Sequence, residues 1–200
     1  MSNRQEYIAE VKKLVPGDNH PIGEPEIILA VAMAVKEHSR QRPLVLVEDV
    51  DGAAAFDYLL STSLDYWSDG FSVIKQVEYP VDDADETPNV LQSDEWMIYD
   101  KPAGAYLRFL LEEPTATEDM RITYTALHTC TDAACTVKPF DDEAVQALAA
   151  SKYCDMLATA YAQVGDSTIN ADVVDHKSKA AEYSARARAY RKMYLDHVGV

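Results

Sequence analysis

The spacing of apolar residues changes twice along this 200-residue chain, and this change constrains the fold more than any single motif. Before Pro43 the apolar residues recur every three to four positions, which is typical of helices with one buried face. From Pro43 to Phe140 they form short runs rich in Val, Ile, Tyr and Thr, with turn residues between the runs. The helical spacing then returns. The sequence therefore predicts an α+β fold with a β region between two pairs of helices.

This pattern divides the chain into three segments. Residues 1–42 should form two N-terminal helices, and residues 141–200 should form two C-terminal helices that complete a four-helix base. Residues 43–140 contain six candidate strands, so we expect an inserted antiparallel β sandwich or barrel there. The helix that contains residues 27–35 has almost no polar side. We therefore expect that helix to be central to the bundle.

Net charge and apolar run lengths exclude two classes of partner. A formal charge of −16 argues against binding to nucleic acid, because a phosphate-binding surface must be basic. The longest apolar run, residues 27–35, is too short to span a bilayer. The N-terminal segment also lacks the apolar core of a signal peptide. We expect a globular protein with no membrane partner.

Sequence motifs for catalysis or cofactor binding are missing from the chain, including the nucleophile elbow, the phosphate-binding loop and the zinc-protease motif. One string, Asp175-His176-Lys177-Ser178, combines an acid, a base and a hydroxyl. Neighbours in sequence point in different directions, however, so we interpret Asp175 and Ser178 as helix caps. The sequence predicts neither an enzyme nor a cofactor.

A strongly acidic segment lies within the β region. Asp82, Asp83, Asp85 and Glu86 follow one another closely, with no basic residue among them. We interpret them as a solvated loop, or as acids that face a channel. A calcium site is the alternative, since carboxylates are calcium ligands, but the spacing is not that of an EF-hand loop.

The three cysteines allow two interpretations. Cys130 and Cys135 can form a disulfide across a hairpin, with Cys154 left free. Free thiols throughout are the interpretation that the odd count and the missing signal peptide favour. Together with His128, Cys130 and Cys135 supply at most three zinc ligands, so no metal site is predicted.

Positive charge is concentrated in the C-terminal helix. Residues 1–170 contain 12 basic and 30 acidic residues, whereas residues 171–200 contain six basic and four acidic residues. Tyr183, Ala187, Tyr190 and Tyr194 form a narrow helical stripe that should pack inside the protein. Residues beside this stripe are predicted to bind an acidic surface of another subunit or of a partner protein, and they are His176, Lys179, Arg186, Arg188, Arg191 and Lys192.

Four segments carry a family resemblance, namely FSVIKQVEYP, WMIYDKPAGAYLRFL, RITYTALHT and the stretch from Asp141 to the C-terminal helix. Within the last of them, GDSTI, VDHKSK and EYSARARAYRKMY are the most specific. These segments resemble the head–tail adaptor proteins of tailed bacteriophages, also called neck, head-completion or connector proteins. The resemblance extends more weakly over the chain from about Pro43 to the C-terminus, and the N-terminal helices match only in character.

The resemblance implies a structural, non-enzymatic role in the virion, after assembly in the host cytoplasm. Such proteins form a ring, usually of about twelve copies, beneath the portal. The ring continues the DNA channel and gives the tail, or a further neck protein, a place to attach. The implied partners are further copies of the chain, the portal protein and the tail, with DNA passing through without specific binding. No cofactor is implied.

Three other functions stay open on the sequence. A tail-terminator or tail-completion protein would form a ring of about six copies. A hydrolase would use His176 or the acids at 82–86. A ligand-binding module would need an exposed aromatic platform, for which Trp67, Trp96 and Tyr99 are the candidates.

Overall fold

The computed structural model describes residues 2–17, 20–82, 87–164 and 176–199, without the side chains of residues 164 and 176–178. The chain divides into a helical unit, Met1–Arg42 with His128–Val200, and a β unit, Pro43–Leu127. The predicted α+β class is confirmed. Residues 128–140, which the sequence pattern groups with the β region, belong to the helical unit instead. They bond to the start of the first helix there: Cys135 N–H donates to Ser2 O over 2.8 Å.

The described residues of the helical unit form four long helices: α1 (Arg4–Leu14), α2 (Glu24–Gln41), α4 (Asp142–Val164) and α5 (His176–Val198). Those of the β unit include one further helix, the four-residue α3 (Leu60–Ser63). Local signals set the starts of the first two. The Asn3 side chain accepts a hydrogen bond from Glu6 N–H, and Gly23 N–H donates to the Glu26 carboxylate. Pro25 lies in the first turn of α2, where its missing N–H costs nothing.

Helix α4 occupies the centre of the helical unit, because it packs against α1, α2 and α5. Leu148, Cys154 and Leu157 on this helix are fully buried. The prediction that α2 is central was wrong, since Leu29 and Met33 of α2 are 52% and 42% exposed. Alanines recur along α4 and let α1, α2 and α5 approach it closely, whereas the side of α2 that carries Leu29 and Met33 is left uncovered.

In its described part, the β unit has six strands: β1 (Leu44–Asp51), β2 (Asp57–Leu59), β3 (Ile74–Glu78), β4 (Trp96–Lys101), β5 (Gly104–Phe109) and β6 (Asp119–Ala126). All six coincide with candidate runs in the sequence. They pair antiparallel in two three-stranded sheets, with orders β1-β6-β3 and β2-β5-β4. Both sheets contribute side chains to one core, including Leu107 and Phe109 from β5 and Ile122 and Tyr124 from β6. The described residues thus form a sandwich and not a closed barrel.

Candidate assembly surface on the C-terminal helix

The tyrosine stripe of α5 is part of the core, so it fixes which face of the helix turns outward. Tyr183, Ala187 and Tyr194 are 9%, 2% and 0% exposed. Tyr190 is half-buried and donates its hydroxyl to Leu14 O over 2.7 Å. Ser151 Oγ on α4 reaches Ala187 O at 2.8 Å, a contact that needs the small residue on α5. The residues opposite the stripe therefore face solvent.

Three of the predicted basic residues have partners within the chain. Arg186 forms an ion pair with Glu182 at 2.5 Å, one helical turn away. Arg191 lies 3.4 Å from Glu37 of α2, which also pairs with Lys152 at 2.5 Å. Lys179 Nζ lies over the Tyr161 ring, 5.4 Å from its centroid. These contacts are exposed or half-exposed, so each stabilises the fold only weakly.

Arg188 and Lys192 differ from these three. Both are exposed, and neither has an ion pair or hydrogen bond within the described part of the chain. They lie four positions apart, so both project from one helix face, where like charges repel each other mildly. Alanines at 181, 185 and 189 are exposed on the same side. This outer face of α5, defined by Arg188, Lys192 and the three alanines, carries two positive charges, and exposed Asp196 lies one turn beyond Lys192. This face fits an acidic protein surface.

Several predicted site residues fall outside what the structure describes. Asp83, Asp85 and Glu86 lie in the gap after Asp82, and the side chain of His176 is not described. The proposed channel acids, the calcium alternative and the His176 hydrolase hypothesis therefore stay predictions. Among the described residues, no group of three or more His, Cys, Asp or Glu side chains could hold a metal ion.

Cys130 and Cys135 form a disulfide, contrary to the free thiols that the sequence favoured. The two residues also face each other in an isolated antiparallel bridge. Residues between them hold the start of α1, since Arg4 N–H donates to Thr131 O and the Arg4 side chain pairs with Asp132. Cys154 is free and fully buried, and burial raises the pKa of its thiol to about 12.

The aromatic side chains that a ligand-binding module would expose are engaged elsewhere. Trp67 and Trp96 are half-buried against the core of the β unit. Trp67 Nε1 also donates to Asp69 over 2.7 Å. The Tyr99 ring lies beneath Lys101 Nζ, which is 5.1 Å from its centroid. These residues do not form an open aromatic platform.

A buried polar cluster around Asp141 was not predicted from the sequence. Its carboxylate accepts hydrogen bonds from Arg42 at 2.5 Å and from His197 at 2.8 Å. His38 Nε2 lies 3.8 Å from the same carboxylate, and His38 Nδ1 lies 3.2 Å from the Tyr194 hydroxyl. The five groups come from α2 and the residue that follows it, the short turn before α4, and α5. No local signal could have found this cluster, because its members are distant in sequence: His38 and Tyr194, for example, are 156 positions apart.

The cluster is electrostatically balanced around one negative charge. Burial acts to raise the pKa of Asp141, but the His197 hydrogen bond and the Arg42 charge outweigh it and lower that pKa. Burial, together with the neighbouring His128, lowers the pKa of His38 to about 4. His38 and Asp141 side chains are 1% and 5% exposed, which gives a substrate no access to them. We therefore interpret the cluster as structural.

Comparison with solved structures finds a weak similarity. A chain from the virion of a native gene transfer agent (GTA) particle matches 88% of this chain and 87% of its own length, with a TM-score of 0.34 and 12% identity. A TM-score this low does not establish a common fold. No protein-family model and no curated protein matches the chain. Within the described residues, every helix is too short or too polar to cross a lipid bilayer.

Proposed function

We propose that this chain is a structural protein of a phage virion, located in the neck. In this proposal it forms a ring of about twelve copies beneath the portal, extends the DNA channel and joins the head to the tail. The proposal rests on the resemblance of the C-terminal segments to head–tail adaptor proteins. The observation that supports it structurally is the outer face of α5, whose two exposed positive charges are unpaired within the described residues and would suit an acidic partner surface.

The composition of the chain supplies such a surface on a second copy. With 34 acidic and 18 basic residues, a neighbouring copy carries a net charge of −16. A contact between the positive α5 face and an acidic patch joins two different surfaces, so it is heterologous. Heterologous contacts close into rings when the rotation between copies is a simple fraction of a turn. The same α5 face could instead bind the portal, and experiment separates the two.

An acidic body suits a protein that surrounds DNA without binding it. Phosphates are repelled by carboxylates, so an acidic channel wall keeps the DNA free to move. In this role the protein needs no catalytic group and no cofactor. In this role the protein acts through the surfaces that bind the neighbouring copy, the portal and the tail.

The test is the mass of the purified protein, alone and with the portal protein, by native mass spectrometry or light scattering. We expect rings of about twelve copies that bind the portal. Rings of about six copies that bind tail components would favour the tail-terminator alternative. A strict monomer that binds neither portal nor tail components would contradict the proposal.

A further inference from the structure

Strand β1 has an open edge that the described residues leave uncovered. It borders its sheet, pairs with β6 along all eight residues and has no bulge. Val45 and Val47 on this strand are 54% and 56% exposed. The strand contains neither Pro nor Lys, the residues with which proteins commonly prevent an edge from pairing with another chain. Its second half carries Glu48, Asp49 and Asp51, whereas its first half is an uncharged open edge of the kind that can pair with a strand of another chain.

The hydrogen-bond pattern identifies which residues face outward. Gly52 N–H donates to Glu118 O just beyond the ladder, so the pair 52 and 118 is hydrogen-bonded. Bonded pairs alternate in an antiparallel ladder, so Leu46 and Glu48 direct their backbone groups towards β6. The intervening residues direct theirs away from the sheet, and they are Val45, Val47, Asp49 and Asp51. Thr125 N–H supports this assignment, since it donates to Val73 O and not to β1.

Strand β4 has the second open edge. It borders the other sheet and pairs with β5 along six residues. Leu110 N–H donates to Glu95 O, so the same alternation directs the backbone groups of Trp96, Ile98 and Asp100 outward. Ile98 and Met97 are 37% and 42% exposed. No other backbone group in the described residues bonds to this edge.

The remaining two edges of the sheets are protected. Residues 89–91 cover the outer edge of β3, since Leu91 N–H donates to Val77 O and Tyr79 N–H donates to Asn89 O. Strand β2 has only three residues, and a short edge offers little to a partner. The β unit therefore exposes two pairing edges of unlike sequence, β1 and β4.

Short connections place these two edges on opposite borders of the sandwich. Residues 52–56 alone join β1 to β2, so those strands lie at one border. Residues 92–95 join the segment that covers β3 to β4, so β3 and β4 lie at the other border. Two copies can therefore join the β1 edge of one to the β4 edge of the next, and the second copy still offers a free β4 or β1 edge to a third.

We infer that the β1 edge of one copy pairs with the β4 edge of the next by backbone hydrogen bonds. Each such contact joins the β1-β6-β3 sheet of one copy to the β2-β5-β4 sheet of the next in a single six-stranded sheet. The inference rests on the proposed function, because it names the contact between copies in the ring. Affinity comes from the backbone bonds, and selectivity comes from Val45, Val47, Met97 and Ile98, which become buried.

The test replaces the exposed valines by lysine in the variant Val45→Lys/Val47→Lys. Lysines on this edge leave the bonds to β6 intact but place charge where the neighbouring strand must lie. The control is Val73→Lys, since Val73 is 50% exposed in the same unit but is not on β1 or β4. Circular dichroism establishes that each variant is folded, and native mass spectrometry gives its assembly state. We expect rings from the wild type and from Val73→Lys, and loss of rings in the double variant.

Hydrogen exchange resolved to single amides provides the second measurement. The amides at positions 45, 47 and 49 should exchange slowly in the wild-type ring and quickly in the folded double variant, whereas those of Leu46 and Glu48 should be slow in both. Rings formed by the double variant would overturn the edge pairing and leave the proposed function intact. Wild-type dimers that the double variant loses would support the edge pairing and contradict the ring. A monomeric wild type would overturn both.

Discussion

At the scale of single residues, His38 is held in its neutral form by the helical unit. Its side chain is buried, and burial together with His128 lowers its pKa from 6.5 to about 4. Groups that carry charge of either sign lie near the His38 ring, so no one of them alone sets its pKa. They are Asp141, His128, Arg42 and His197, and the Tyr194 hydroxyl lies beside them. Protonation of His38 would place a second positive charge beside Arg42 in a site with little water. Protonation of His38 therefore destabilises the folded state.

This arrangement predicts a fall in stability on acidification. Because the folded pKa of His38 is lower than the unfolded value, the unfolded state binds more protons between about pH 6.5 and about pH 4. The free energy of unfolding should therefore decrease as pH falls through that window, by on the order of 3 kcal/mol. Asp141 acts only at lower pH, since its lowered pKa stays below this window. Urea titrations across the window measure the slope.

The control for this prediction is His38→Gln, which keeps a polar side chain of similar reach beside Tyr194 but does not titrate. The variant should be less stable at neutral pH, because its hydrogen bonds are imperfect. Its free energy of unfolding should depend less on pH across the same window. Equal slopes for variant and wild type would show that His38 is not the responsible group.

Cys154 should be inert in the folded protein. Its thiol is fully buried in α4, and burial raises the thiol pKa to about 12, so almost no thiolate exists near neutral pH. Treatment with a maleimide should leave the folded chain unmodified and label one cysteine after unfolding in urea. Labelling of three cysteines after unfolding and reduction, against one without reduction, would show that Cys130 and Cys135 are joined in a disulfide. Rapid labelling of the folded protein would contradict the burial of Cys154.

At the scale of secondary-structure elements, periodicity located the helices and strands because each is a local consequence of sequence. Ile122, Tyr124 and Ala126 alternate on β6 and are all buried. Periodicity could not predict which helix lies at the centre of the helical unit. Helix α2 contains the longest uninterrupted apolar run, yet α4 is central, because close packing also depends on the size of the facing side chains and on the length of helix that neighbours can cover. The run AAAFDYLL likewise divides into β2 and α3.

The position that follows β1, Gly52, has no room for a side chain. A Cβ atom at this residue would lie 1.9 Å from Thr115 O and 2.5 Å from Glu118 O, both backbone atoms that cannot rotate away. Gly52→Ala should therefore destabilise the protein by roughly 1–3 kcal/mol. Gly23→Ala is the control, since the nearest atom to its Cβ is a Pro25 carbon at an ordinary 3.8 Å. Thermal unfolding of both variants measures the difference, and equal midpoints would contradict the steric argument.

At the scale of the whole molecule, the charge asymmetry of the sequence singles out α5 as the candidate interface helix, and the fold reduces the number of candidate residues on it. Arg186 and Arg191 are among the predicted interface residues, yet both have partners in their own chain, at Glu182 and Glu37. Sequence could anticipate the first pair from its spacing of four residues. It could not anticipate the second, whose members are 154 positions apart. Only the fold reduces the candidates to Arg188 and Lys192.

The assignment of the α5 face is tested by reversing its charge in the variant Arg188→Glu/Lys192→Glu. The two residues are exposed and unpaired within the described part of the chain, so the variant should fold as the wild type does. If the face meets a neighbouring copy, rings should be lost. If it meets the portal instead, rings should form but fail to bind it. Native mass spectrometry with and without the portal protein separates these results.

Helix α2 provides the matched control. Lys36 and Arg40 are also exposed and four positions apart, so Lys36→Glu/Arg40→Glu changes the net charge by the same amount on another helix. A general effect of added negative charge would act equally in both variants, because long-range repulsion depends on total charge. A specific contact at α5 predicts that only the α5 variant loses a partner. If both variants assemble and bind the portal as the wild type does, the outer face of α5 has no docking role.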